Sequence, residues 1–292
     1  MAPRQMAPAS AVVMGAVAYD AKVVTIWEGF KEWFARHDLS FDYVLYSNYE
    51  RQVEALLAGH VQVAWNSPLA WVRARRMAAA TGARAAALAM RDTDRDLTSV
   101  VVVRADSEID AAPQLAGSTV GVGAVDSPQA TLIPLGHLRS LGLEPERHLN
   151  VRHHDVGVGK HGDHVGGERD AARALLARKV DAACMIDGNH LLFTTEGTLP
   201  QGATRMLTQT PPFDHCNFTV VGEAPSPDLD RFRSLLLSMS YDDPEVRPLL
   251  DLEGLTAWRG GRTTGYDQLE RAVDDQAFYD AQGNVTAAGY RP

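Results

Sequence analysis

The stretch Tyr43–Val72, YVLYSNYERQVEALLAGHVQVAWNSPLAWV, decides the fold. It follows directly on Phe41-Asp42, and FDYVLYS is a short run of β-formers. Asn48 stands where an N-cap belongs, ahead of the amphipathic segment YERQVEALLAG that Gly59 stops. VQVAW is a second short strand, and Asn66-Ser67-Pro68 offers a cap followed by proline, the usual start of another helix. Two strands joined by a helix imply parallel strands with a right-handed crossover. Both strand ends run into capped helix N-termini, where exposed N–H groups hold small ligands.

The pattern continues on either side. Ala11–Tyr19 reads as a strand ending in Tyr19-Asp20, and Val23–His37 as a helix with Trp27, Phe30 and Phe34 on one face. LTSVVVVR (Leu97–Arg104) is so continuously apolar that it is expected to be buried on both faces or to cross between two cores. From about Gln114 strands and helices alternate again. A second β-rich segment, Thr204–Gly222, is broken by Pro211-Pro212, and the remainder is mostly helical. The expected architecture is α/β: a two-lobed clamshell, each lobe a parallel-dominated sheet flanked by helices, with two crossover strands. Lobe 1 would comprise 11–96 plus 218–292, lobe 2 would comprise 104–210, and 97–103 with 211–217 would be the hinges. A cleft between lobes is the default ligand site.

Composition bounds the function. The 292 residues are 45% hydrophobic and 22% charged, an ordinary globular balance with enough chain for two cores. The net charge of -9, with no dense lysine/arginine run, argues against a nucleic-acid partner. Cys184 and Cys216 both lie in apolar surroundings and read as two buried thiols rather than a disulfide. No run is long enough to insert into a membrane, and no apolar stretch of signal-peptide length precedes the first strand. As written the chain is expected in the cytoplasm, or in the periplasm or outside the cell if a leader has been removed.

Four segments resemble, in order, the phosphonate/phosphate-type solute-binding proteins of ABC importers. They are SNYERQVEALLAGHVQVAWNSPLAWV, LTSVVVVRADS, STVGVGAVDSPQATLIPLGHLRSLGLEP and RDAARALLARKVDAACMIDG, with a weaker fifth, GGRTTGYDQLERAV. The resemblance implies a type II periplasmic-binding-protein fold that binds a small anionic or zwitterionic molecule between its lobes. If the chain is exported, it also implies an ABC permease as partner. The family holds its anion where a loop enters a helix; here that loop reads Ser127-Pro128-Gln129, with one hydroxyl kept, one replaced by proline and one by glutamine. A histidine usual before the "DAA" helix appears as Arg169, which suits a carboxylate or phosphate. Topology and resemblance together give Tyr19, Asn48, Tyr49, Asn66, Ser67, Ser127, Gln129, Arg169 and Asp187 as candidate ligand contacts.

Histidines crowd the second half. His153-His154-Asp155 ends a strand, His161, Asp163 and His164 lie in the next loop, and His215 stands between Asp214 and Cys216. If these converge, His154, His161, His164 and His215 are candidate ligands for a transition metal, zinc or iron. The alternative to a binding protein is then a cytoplasmic biosynthetic enzyme on the same fold, with His164 or His215 as acid/base. A cysteine next to a histidine on a strand points to the opposite face, which argues against a Cys216–His215 dyad. No phosphate-binding P-loop is present, and the glycines Gly121, Gly123, Gly157 and Gly159 do not make a nucleotide loop.

Overall fold

The computed structural model describes residues 11–162, 166–222 and 226–292. The first sheet begins with β1 (Val12–Val17), α1 (Lys22–Arg36), β2 (Phe41–Tyr46), α2 (Tyr49–Leu57), β3 (Val63–Asn66), α3 (Pro68–Ala80) and β4 (Ala85–Arg91). The chain then builds a second sheet from β5 (Ser99–Arg104), β6 (Thr119–Gly121), α4 (Ile133–Ser140), α5 (Pro145–His148), β7 (Asn150–Arg152), α6 (Glu168–Leu176), β8 (Ala182–Ile186), α7 (Asp187–Thr195) and β9 (Thr204–Gln209). It returns through β10 (Asn217–Val221), α8 (Pro227–Ser238), α9 (Arg247–Glu253), β11 (Trp258–Gly260) and α10 (Asp267–Asp275).

Strand order is β11-β4-β10-β3-β1-β2 in the first sheet and β7-β6-β8-β5-β9 in the second. Both sheets are mixed. The expected parallel pairing is confined to β3-β1-β2 and β7-β6-β8, while β10, β4 and β11 and the pairs of β5 with β8 and β9 are antiparallel. The two strands of the opening stretch are parallel, but β1 lies between them.

Asn48 and Ser67 cap their helices as their residue types require, accepting from Arg51 N–H at 2.9 Å and Ala70 N–H at 3.1 Å. Beyond its first two residues the run Leu97–Arg104 is not the crossing but strand β5. All five of its valine-rich registers pair with β8, and β9 covers its other edge, which is why it is continuously apolar. The crossing is 92–98, between β4 and β5, and the return runs through 210–216. These two connections hold each other: Leu97 and Phe213 exchange backbone hydrogen bonds of 2.9 and 2.8 Å.

An aromatic cluster fills one face of the first sheet, where Trp27, Phe30 and Phe34 of α1 meet Trp65, Phe218, Phe232 and Trp258. Phe218 is fully buried, its ring 4.7 Å from Trp65 and 5.2 Å from both Phe232 and Trp258. A second cluster joins α3 and α10 to the carboxy-terminal segment through Trp71, Tyr266, Phe278, Tyr279 and Tyr290. Among the described residues no helix is long and apolar enough to cross a membrane. Because Phe218 touches four other rings, Phe218→Ala is expected to cost about 3–5 kcal/mol. Equilibrium urea unfolding would show this as a lowered midpoint with an unchanged slope.

Candidate ligand cleft

The two sheets face each other across a pocket of about 300 Å³, built where strand ends and crossings converge. The first sheet and its crossing supply Tyr19, Tyr49, Trp65, Arg91, Thr93, Asp94 and Leu97; the second supplies Gln129, Ile186, Gly188 and Asn189. His215 and Cys216 enter from the return crossing.

Of the nine candidate ligand contacts, Tyr19, Tyr49 and Gln129 line this pocket. Gln129 is held from both sides: its Nε2 donates to Gly162 O at 3.0 Å, and its Oε1 lies 3.5 Å from His215 Nε2. Ser127 is buried and caps the short π-helical turn Pro128–Leu132 by accepting from Ala130 N–H. Asn66 is buried behind the pocket and accepts from Gln52 Nε2 at 2.8 Å. Asp187 opens α7 beside the pocket, but its carboxylate accepts from Thr98 Oγ1 at 2.7 Å and Gly188 N–H at 2.7 Å. Arg169 is elsewhere. It pairs with Glu196 through two hydrogen bonds of 2.8 and 3.0 Å and lies over the Phe193 ring, away from the pocket lining.

The helix N-termini of the opening stretch are met by the chain itself. Loop 157–162 from the second half lies across them: Gly159 O accepts from Tyr49 N–H at 3.1 Å, and His161 stacks on the Tyr49 ring at 4.7 Å. His161 Nδ1 lies 2.6 Å from Ser67 Oγ and Nε2 lies 3.1 Å from Glu50 Oε1. His161 is 1% exposed and takes a left-handed backbone, φ 51°. The next residue, Gly162, also has positive φ, and a Cβ there would fall 2.6 Å from Ser127. Glu50 also accepts from Tyr279 and Tyr290 hydroxyls at 2.8 and 2.9 Å, while Asp126 accepts from Gly159 and His161 N–H groups. Burial pushes the Glu50 carboxyl up, but the His161 charge and these hydrogen bonds outweigh it and hold the group at about 2. His161, expected as a metal ligand, is thus a bridge between the two halves. His154 packs its Nδ1 against Val122 O at 3.0 Å. His164 lies outside the described residues.

The charged part of the pocket wall is self-compensated. Arg91 donates to both oxygens of Asp94 at 2.6 and 2.8 Å and to Glu253 Oε1 at 3.3 Å. Burial pushes Asp94 up, yet the Arg91 charge and its paired hydrogen bonds bring the carboxyl to about 2. His215 and Cys216 contradict the expectation from strand alternation. They precede β10, and the non-strand backbone brings His215 Nδ1 to 3.1 Å from Cys216 Sγ. Both cysteines are buried and unbridged.

Asp94, Glu50 and Glu168 escape a reading of the sequence, because each is buried by segments distant along the chain. Glu168 lies fully buried behind Gln129, Ile186 and Asn189, accepting from Ile186 N–H at 3.0 Å and Asn189 Nδ2 at 2.8 Å. Burial raises its carboxyl to about 7 against those hydrogen bonds. The fold therefore favours the neutral acid: its contribution to stability is complete below the unfolded value of about 4.3 and is lost as pH rises through about 7. Glu168→Gln should remove that dependence. In chemical denaturation the variant is expected to gain on the parent between pH 5 and 8, by on the order of 3 kcal/mol at the upper end.

Comparison with known proteins agrees with this geometry. The family described as "ABC transporter, phosphonate, periplasmic substrate-binding protein" matches residues 15–266. Among solved structures, the chain is similar to PhnD1 from Prochlorococcus marinus in complex with methylphosphonate, with 16% identity, 90% of this chain and 97% of that one covered, and a TM-score of 0.65. A Xanthomonas citri protein bound to ATP gives 17% identity, 91% and 97% coverage and a TM-score of 0.67. A binding-protein component of an ABC phosphonate transporter from Pseudomonas aeruginosa gives 12% identity, 94% and 92% coverage and a TM-score of 0.61. These likenesses establish the two-lobed fold. No curated protein sequence matches the chain.

Proposed function

Given that the chain belongs to the family of periplasmic substrate-binding proteins of phosphonate ABC transporters, we propose that it binds a small phosphonate-class oxyanion in the cleft and delivers it to an ABC permease. The observation that carries this reading is the pocket between the sheets, lined by polar groups from both halves and from both crossings. Polar side chains of Tyr19, Tyr49, Thr93, Gln129 and Asn189 line the space an oxyanion would occupy, while Trp65, Leu97 and Ile186 accept an organic substituent. Hinge motion of the paired crossings 92–98 and 210–216 then opens and closes the cleft.

Arg91 sets the charge of the ligand. Its guanidinium is committed to Asp94 and Glu253, so the pocket offers neutral donors in place of an uncompensated cation. A singly charged or zwitterionic oxyanion fits that balance better than a bare dianion, whose desolvation needs opposing charge. The working compartment that follows is the family's, the periplasm, with the permease as partner. The family match favours this reading over the biosynthetic-enzyme alternative.

Ligand-dependent stability tests it. A ligand present at 100 times its Kd stabilises by about 2.7 kcal/mol, which for a chain of this size is a rise in Tm of roughly 4–5 °C. The expected ranking in calorimetry is aminoalkylphosphonate or alkylphosphonate monoanion above inorganic phosphate. Flat melting curves with phosphonates, phosphate, sulfonates and carboxylates alike would overturn the proposal.

A further inference from the structure

The crossings bring together a set of side chains with a chemistry of their own. Among the described residues, Asp94, His215 and Cys216 are the one group of three whose potential ligand atoms all lie within 4.8 Å of one another. His215 Nδ1 is 3.1 Å from Cys216 Sγ and 3.5 Å from Asp94 Oδ1. Bonds of about 2.0–2.3 Å in a tetrahedral zinc site put neighbouring donor atoms roughly 3.3–3.6 Å apart. The 3.5 Å edge falls inside that range and the 3.1 Å edge about 0.2 Å below it, while the third edge is bounded at 4.8 Å.

We propose that Asp94, His215 and Cys216 hold a divalent transition metal ion of the zinc class in the wall of the cleft, with a further coordination position turned toward the pocket. The donor set suits such an ion: one soft thiolate, one imidazole and one carboxylate. The tautomer is set by Gln129, whose Oε1 faces His215 Nε2 at 3.5 Å; an Nε2–H directed there leaves the Nδ1 lone pair for the metal. Arg91 grips Asp94 from behind, and each carboxylate oxygen keeps a second lone pair. Charge closes as well. A divalent ion with Arg91 brings three positive charges, and Asp94, the Cys216 thiolate and Glu253 bring three negative ones. On binding, the Cys216 S–H bond breaks, the proton leaves to solvent and an S–metal bond forms. All three side chains line the pocket, so the open position faces whatever the cleft holds.

The test uses the full chain stripped with a chelator and titrated with zinc against a chromophoric competitor, without any solute, so its outcome is independent of the phosphonate reading. One ion per chain is expected. Cys216→Ser should weaken binding by more than the 10–100-fold typical of outer-shell partners, and His215→Ala should do the same. Cobalt should give a thiolate-to-metal charge-transfer band that survives Cys184→Ser and vanishes in Cys216→Ser. Melting curves establish that each variant is folded; where Cys216→Ser is not, His215→Ala decides by loss of affinity. Absence of stoichiometric uptake, or affinity and band retained in the folded variants, overturns the proposal.

Discussion

One buried carboxylate, that of Glu50, ties together parts of the chain that sequence order keeps apart. It lies on the second helix, yet its Oε1 is met by His161 from the opposite half and by Tyr279 and Tyr290 from the carboxy-terminal segment. A buried ionised group is costly unless charge and hydrogen bonds surround it, and removing one partner of such a set typically costs about 3–5 kcal/mol. The first lobe, loop 157–162 and the terminal segment therefore have to reach their places together. Asp126 extends the same set: it accepts from the backbone of that loop, and its Oδ2 lies 3.3 Å from the Tyr290 hydroxyl. The helix starts of Tyr43–Val72 are in this way used for holding the two halves in register, with Tyr49 left at the pocket edge.

How much of this was legible follows from the range of each cause. The two helical starts at Asn48 and Ser67 depend on a cap and its next three residues, so the sequence showed them directly. The two-sheet architecture follows from hydrophobic period, which is also local. The place of β10 between β3 and β4, antiparallel to both, depends on the return of the chain after more than a hundred residues, and nothing in NFTVV announces its direction. Arg169 illustrates the corresponding error in the site. A cation ahead of a helix looks available for an anion, but Glu196 lies within reach only once α6 and α7 pack. The Cys216–His215 contact has a simpler cause: both residues lie just before the strand, where side chains need not alternate between faces.

The cleft departs from an electropositive anion trap. Among the described lining residues the one guanidinium, Arg91, is shared between two carboxylates, so the polar lining acts through side-chain dipoles rather than an uncompensated cation. Such dipoles discriminate by direction and distance more than by net charge. A tetrahedral phosphonate and a planar carboxylate of equal charge present their oxygens differently to such a lining.

The insertion of the second sheet into the middle of the first also imposes a schedule. Residues 99–209 contain every strand of the second sheet, so that half can close as soon as it has been made. The first sheet must wait with β3 and β4 unjoined until residues 217–221 arrive to pair with both. Pairings of such long sequence separation are slow and leave strand edges open to other chains in the interval. During synthesis the half with the aromatic cluster, built around Trp65 and Phe218, is consequently the part most dependent on a chaperone or on dilution.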